Sequence, residues 1–390
     1  MKVISISTDR KLFENGSPVQ VRNIEYASKM EELHIVVFTT SRKSKARLET
    51  RQVKSYKVGN LYVYPTNSIN RWFYVWDAYR LAKRVLTNNN FLFGKSVITT
   101  QDPFETGLVG FYLKKKFGFP LQLQSHTDFF SPLFKKTFLN KIRLFIIKKI
   151  INMADGFRVV NQSVGLYITK HFPNLSIKPE TLPVFVDTQK IIDTVPKRDI
   201  KKDFPQFKFV IFMASRITPE KNLDTAIHVL KKVVEQFSYV GLVIAGEGEE
   251  RVNLENLAKK LGVAERVVFI GWQDDLVSYY KTADVFLLTS EYEGYGMTLI
   301  EAGASGSAIV TTKVGVADTD LFINGKNSYV CPPWDTECLF HSVLGLIMDD
   351  KKRELFKQEM QDSIRKITIT KEEYIAKYVG QLERLIKKEQ

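Results

Sequence analysis

The 390-residue sequence predicts an α/β protein built from two doubly wound domains in series. Three observations carry this reading. Short, nearly continuous apolar runs alternate with helical stretches, the pattern of parallel sheets covered on both faces. The alternation occurs twice, with a polar break near Val195-Pro196-Lys197-Arg198-Asp199. The length suits two domains of ordinary size better than one.

In chain order, the first half offers strands at Lys2–Ser7, Leu33–Thr40, Leu61–Pro65, Ser96–Gln101, Leu121–His126 and Gly156–Asn161. Helical patterns at Arg22–Met30, Asp77–Leu86 and Thr106–Phe117 lie among them. The second half offers strands at Phe207–Ser215, Leu242–Gly246, Val267–Gly271, Asp284–Ser290 and Ala308–Val314, with a helix at Leu223–Phe237. The expected domains are 1–190, an N-terminal Rossmann-like domain, and 200–370, a C-terminal Rossmann-like domain. A C-terminal helix in 371–390 is free to pack back on the first domain. Strand C-termini and the helix N-termini beside them bind nucleotides and phosphates in such folds, but architecture alone does not choose a reaction.

Composition narrows the class. Hydrophobic residues make up 44% and charged residues 26%, which argues against disorder. The two cysteines, Cys331 and Cys338, do not suggest a disulfide framework, and a reducing cytoplasm is the simpler setting. Neither a signal peptide nor a run long enough to span a membrane is expected. Residues 1–190 hold 30 Lys and Arg against 13 Asp and Glu, while the remainder holds 27 against 30. The whole positive surplus therefore sits in the first half, which should favour an anionic partner.

The chemistry concentrates in two stretches. In Thr289-Ser290-Glu291-Tyr292-Glu293-Gly294-Tyr295-Gly296-Met297-Thr298-Leu299-Ile300-Glu301, a strand runs into a glycine-containing loop and a helix starts near Gly296. Gly294 and Gly296 let backbone N–H groups approach a phosphate. Glu293 and Glu301 are natural acceptors for sugar or ribose hydroxyls, although either acid alone also fits an ordinary place near a helix start. In Ser215-Arg216-Ile217-Thr218-Pro219-Glu220-Lys221, the Arg216 fork and the Lys221 point charge suit a diphosphate. A strand followed by basic loop residues is common, however, and alone decides little.

These stretches, with Leu242-Val243-Ile244-Ala245-Gly246-Glu247-Gly248, Val268-Phe269-Ile270-Gly271-Trp272 and Ala283-Asp284-Val285-Phe286-Leu287-Leu288 in fixed order between them, resemble the retaining, nucleotide-sugar-dependent glycosyltransferases of family 4, the group 1 transferases. The resemblance covers about 130 residues. It extends more loosely to Ala154–Asn161 and Leu182–Asp187. It implies the GT-B fold, two Rossmann-like domains facing each other across a cleft, acting on a UDP- or GDP-sugar with no cofactor or metal. Arg216 and Lys221 would bind the donor diphosphate, Glu301 the ribose and Glu293 the transferred sugar. The backbone of Gly294, Tyr295, Gly296 and Met297 would meet phosphate and sugar, Gly246 would lie against the donor, and the Gly271-Trp272 loop would meet the base. Catalysis would rest on Glu293, His126, Arg216 and Lys221. Family members usually carry paired glycines after the first strand, close to the donor phosphates; Gly16 and Ser17 stand there in this chain and would present their N–H groups to the donor. His126 matches a histidine set near the transferred sugar, and also fits a residue that merely fills a loop. Asp128 would contact acceptor or cap the next segment.

The acceptor implied is lipid-linked, cell-envelope or polysaccharide. Alternatives are an epimerase or phosphorylase of the same fold, or a non-catalytic sugar- or lipid-binding relative. Gly246-Glu247-Gly248 lacks the third glycine of a dinucleotide fingerprint. Asp318-Thr319-Asp320 is a pair frequent by chance, and Cys331 and Cys338, with His341 alone near them, fall short of the four ligands of a structural zinc site. The stretch Phe134–Ile151 interleaves Lys135, Lys136, Lys141, Arg143, Lys148 and Lys149 with Phe138, Ile142, Phe145, Ile146 and Ile150. It reads as a helix packing one face, or as a helix on an anionic inner membrane surface. No nucleic-acid motif is present.

Overall fold

A computed structural model describes residues 1–41, 53–127, 129–130 and 134–387. Asp128 lies outside the described residues. The chain forms two compact units, Met1–Pro183 with the segment from Lys371 onward, and Val184–Thr370.

The first unit is an eight-stranded sheet ordered β3-β4-β2-β1-β5-β6-β7-β8. Its strands are β1 (Lys2–Ser7), β2 (Glu32–Val37), β3 (Tyr56–Val58), β4 (Leu61–Pro65), β5 (Ser96–Thr100), β6 (Leu121–Ser125), β7 (Gly156–Val159) and β8 (Glu180–Thr181). All pairings are parallel except β3 with β4. The central strands are buried on both faces, which is why they read as unbroken apolar runs. The short edge strands β3 and β8 lack that signal, and sequence reading passes over them. Helix Phe138–Ile150 turns Ile147 and Ile150 inward and leaves Phe138 79% exposed, with Phe145 also exposed and Lys149 over its ring. Helix Lys371–Lys387 belongs to this unit; its Tyr374, Tyr378, Leu382 and Leu385 are buried.

The second unit is a six-stranded, all-parallel sheet ordered β11-β10-β9-β12-β13-β14. Its strands are β9 (Phe209–Ala214), β10 (Val240–Ala245), β11 (Val267–Gly271), β12 (Val285–Leu288), β13 (Ala308–Thr312) and β14 (Tyr329–Cys331). Helix Leu223–Val234 covers one face with Ala226, Ile227, Leu230 and Val233. Among the described residues no helix is long and apolar enough to cross a membrane.

The cysteine expectation needs correction. Cys331 and Cys338 form a disulfide. Cys331 ends β14, and Cys338 lies in the first turn of helix Thr336–Met348, which Asp335 caps. The intervening turn brings their Cα atoms to 5.7 Å, within the ordinary disulfide range. Counting cysteines could not anticipate this, because local turn geometry and not number decides whether two thiols meet.

Candidate active site

Each sheet reverses its strand order once, and ligands of doubly wound folds bind beyond the strand ends at that point. In the second unit the reversal lies between β9 and β12. The loops that follow these two strands carry the Arg216–Lys221 and Glu293–Gly296 stretches.

The two loops are stitched together. Glu291 N donates to Glu220 O at 2.9 Å, and Thr289 Oγ1 donates to Lys221 O and Asn222 O at 3.0 and 2.9 Å. Asn222 holds a left-handed turn (φ 51°), and its amide donates to Thr289 O. Within this frame Lys221 Nζ lies 2.6 Å from Glu293 Oε1, the two side chains being only 13% and 12% exposed. Ser290 Oγ donates to the same oxygen at 2.8 Å, giving the carboxylate a second partner. Arg216 is 71% exposed and reaches Glu220 at 3.3 Å, so its fork extends into solvent from the loop that holds Lys221. The hydroxyls of Ser215 and Thr218, on either side of Arg216, are buried without a hydrogen-bond partner. Unpaired buried hydroxyls are costly unless a ligand supplies the missing partner.

Helix Met297–Ala304 begins directly after this loop. Gly296 sits at its N-cap with φ 89°, a conformation that disfavours a side chain, so no side chain caps the helix and its positive end stays open to an anion. Tyr295 is buried, and its carbonyl accepts from Val316 N at 2.7 Å, which anchors the loop. Met297 is partly exposed at the helix start, four positions before Glu301 and therefore on the same side. Burial raises the Glu301 pKa, while a 3.2 Å hydrogen bond from the fully buried Tyr280 hydroxyl opposes the rise. Tyr280 was not singled out from sequence. It lies on helix Leu276–Thr282 with no local motif, and only tertiary packing brings it to Glu301.

Gly246 follows β10. A Cβ there would lie 1.9 Å from Ser215 O, so the close approach of the β10 and β9 loops requires glycine. Its N–H donates to Gly271 O at 2.7 Å. Trp272 follows with its indole largely exposed and donating to Asp274 at 3.2 Å. Arg216, Lys221, Gly246, Trp272, Glu293, Gly294, Tyr295, Gly296, Met297 and Glu301 thus all lie on the second unit. Asp318 pairs with Lys313 at 3.5 Å.

In the first unit the reversal lies between β1 and β5. After β1, Ser17 Oγ caps helix Pro18–Ser28, Ser17 N donates to Glu14 O, and Gly16 N donates to Gln20 Oε1 at 2.8 Å. The two N–H groups that the resemblance sets against the donor phosphates are engaged by Glu14 and by Gln20 of the helix that follows. His126 follows β6 at the surface. The protein packed beneath it, then the Arg158 and Arg22 cations, hold its pKa well below the usual imidazole value. The neighbours Gln124 and Arg158 were likewise missed, since in sequence they are ordinary strand residues.

Residues 196–363 match the model of the glycosyl transferases group 1. The lipopolysaccharide core biosynthesis glycosyltransferase LpsE of Rhizobium meliloti is 31% identical over 153 residues, 39% of this chain and 44% of that protein. The chain spans 28% to 57% of the lengths of three curated relatives that it matches. Among solved structures, sucrose-phosphate synthase of Thermosynechococcus elongatus superposes with a TM-score of 0.80 at 18% identity, over 100% of both chains. HepE of Anabaena, solved with UDP, gives 0.70 at 18% identity over 94% of this chain and 95% of its own. At these identities the likeness is one of fold, the GT-B arrangement of two Rossmann-like domains.

Proposed function

We propose that this protein is a retaining glycosyltransferase that takes its sugar from a nucleoside-diphosphate donor, a reading supported by the match of residues 196–363 to the model of the glycosyl transferases group 1. The observation that carries the reading is the Lys221–Glu293 pair, fixed between the β9 and β12 loops beside an uncapped helix N-terminus. It sets a cation where a diphosphate would lie and a carboxylate where the attached sugar would begin.

In this reading Arg216 and Lys221 stabilise the charge that grows on the leaving diphosphate, helped by the N-terminus of helix Met297–Ala304. Glu301, oriented by Tyr280, accepts from the ribose hydroxyls. Trp272 meets the base. The acceptor hydroxyl attacks C1 from the leaving-group side. The acceptor O–C1 bond forms, the C1–O bond to phosphate breaks, and a phosphate oxygen takes the acceptor proton. The protein supplies position and electrostatics. Release of free sugar measured over a panel of UDP- and GDP-sugars tests the proposal. Failure of every donor to be hydrolysed or bound would overturn it.

The proposed acceptor is a lipid-linked or envelope glycan, reached at an anionic membrane surface on the cytoplasmic side. Support comes from the positive surplus of residues 1–190 and from the exposed Phe138 and Phe145 among the lysines of helix Phe138–Ile150. Each lysine near such a surface contributes on the order of 1 kcal/mol at low salt. Co-sedimentation with anionic but not neutral vesicles, lost at high salt, is the expected result. Binding indifferent to lipid charge would remove the membrane from the proposal.

A further inference from the structure

Arg158, on β7, is 5% exposed and has no carboxylate partner among the described residues. It spends its donors on neutral oxygens. Nε and Nη2 donate to Leu182 O at 3.3 and 3.2 Å, Nη2 also reaches the Tyr374 hydroxyl at 2.7 Å, and Nη1 donates to Gln124 Oε1 at 3.0 Å. The ring of Tyr378 lies against the guanidinium.

This arrangement leaves the Gln124 amide one orientation. A guanidinium can only donate, so the amide oxygen must face Arg158. The amide nitrogen then faces Thr99 Oγ1 at 2.8 Å, and Thr99 in turn donates to Gln122 Oε1 at 3.1 Å. Donors and acceptors alternate correctly along the whole chain. The next member is His126, whose Nε2 lies 3.3 Å from the same Gln124 oxygen. That oxygen can only accept, so Nε2 must carry the hydrogen. No partner is recorded for Nδ1 among the described residues, and the residue is open to solvent.

We propose that Arg158, acting through Gln124, is a positioning device that locks His126 in the Nε2–H tautomer and so presents Nδ1 as a hydrogen-bond acceptor to a substrate hydroxyl. The lock stands on the geometry above; its purpose rests on the reading that His126 meets a sugar. The depressed pKa of His126, to which the Arg158 charge contributes, fits the same end, because a protonated ring could not accept.

The test is nitrogen NMR of the full chain labelled on histidine nitrogen, without ligand. There are five histidines, and a His126→Asn variant assigns the signal. The wild type should show the Nε2–H tautomer and remain neutral well below the usual imidazole pKa. Gln124→Met, which keeps the side-chain volume without the acceptor, should give a tautomer mixture. It should also lower kcat/KM for the nucleotide sugar turned over best by roughly fivefold, the size of one ordinary hydrogen bond. Gln124→Glu keeps the acceptor and should restore the tautomer. It should also raise the His126 pKa, adding an acid limb to the pH–rate profile that a purely structural role would not produce. An Nδ1–H signal in the wild type, or an unchanged tautomer in Gln124→Met, overturns the lock. The expected tautomer together with full turnover by His126→Ala overturns instead the reading that the ring meets the sugar.

Discussion

Replacing Glu293 by Ala would separate what the Lys221–Glu293 pair does for stability from what it does for binding. In the ligand-free protein the two charges are 2.6 Å apart and almost enclosed. Removing one member of a buried pair costs about 3–5 kcal/mol, because the other charge is stranded. Each side chain here keeps some contact with water, 13% and 12%, so the lower end, about 3 kcal/mol, is the appropriate figure. Ser290 loses its acceptor as well, within that total. A diphosphate would supply the missing negative charge. UDP should therefore bind the Glu293→Ala variant about tenfold or more tightly than wild type, since it no longer competes with Glu293 for Lys221 and even half of the 3 kcal/mol recovered corresponds to that factor. Turnover should fall all the same, through loss of the sugar contact. Urea unfolding with and without UDP, and calorimetric titration of both proteins, provide the comparison. A loss of stability below about 0.5 kcal/mol together with weaker UDP binding would refute the reasoning, because Lys221 would then be satisfied elsewhere and would not face the diphosphate.

Three further outcomes are expected. Arg216→Ala should lower kcat/KM by about 3 kcal/mol, on the scale of a lost preorganised donor, while leaving the melting temperature nearly unchanged because Arg216 is solvent-exposed; equal turnover would remove it from the mechanism. Glu301→Ala should weaken UDP binding in calorimetry more than it lowers turnover at saturating donor, and Tyr280→Phe should reproduce part of that loss by freeing the carboxylate; unchanged UDP affinity in Glu301→Ala would refute the ribose assignment. Burial, reinforced by Glu105, pushes the Asp102 carboxyl from 3.8 up to about 6. Because the folded value is the higher one, this contribution to stability is complete below pH 3.8 and is lost as the pH rises through 6. Asp102→Asn, which can still accept from Phe104 N and Thr106 N, should gain stability over wild type at pH 7.5 and lose that advantage by pH 4; a pH-independent difference in chemical denaturation would contradict this.

Much of the frame was legible because its signals are local. Lys2–Ser7, Leu61–Pro65 and Val267–Gly271 are strands with the bounds that their apolar runs suggest; Lys2–Ser7 is a central strand covered on both faces, whereas Leu61–Pro65 alternates buried and half-buried positions and Val267–Gly271 is a sheet edge. Strands β3, β8 and β14 were not legible. At two or three residues each, and at or near the sheet margins, they are defined by pairing with a neighbour and not by their own composition. The same division explains the disulfide, whose partners meet through the turn before helix Thr336–Met348 and not through any pattern in the cysteines themselves.

The candidate site divides along the same line. Arg216, Lys221, Glu293 and Glu301 are visible in sequence because each lies in or just beyond a loop that follows a strand, where a charged residue has no packing duty to explain it. Gly16 and Ser17 also follow a strand, yet the structure spends their N–H groups on Glu14 and Gln20, which a one-dimensional reading cannot foresee. Tyr280, Gln124 and Arg158 show the converse. Each sits inside a regular element, and two of them act over long stretches of sequence: Tyr280 reaches Glu301 across 21 positions, and Arg158 reaches Gln124 across 34. Groups that would meet a ligand were accessible to motif reasoning, whereas groups that orient them depend on which buried donor faces which acceptor. For this protein that second layer decides the chemistry on offer. A carboxylate held by a buried phenol and an imidazole whose tautomer is set by a buried guanidinium are pre-aimed, so a ligand need not spend binding energy on ordering them.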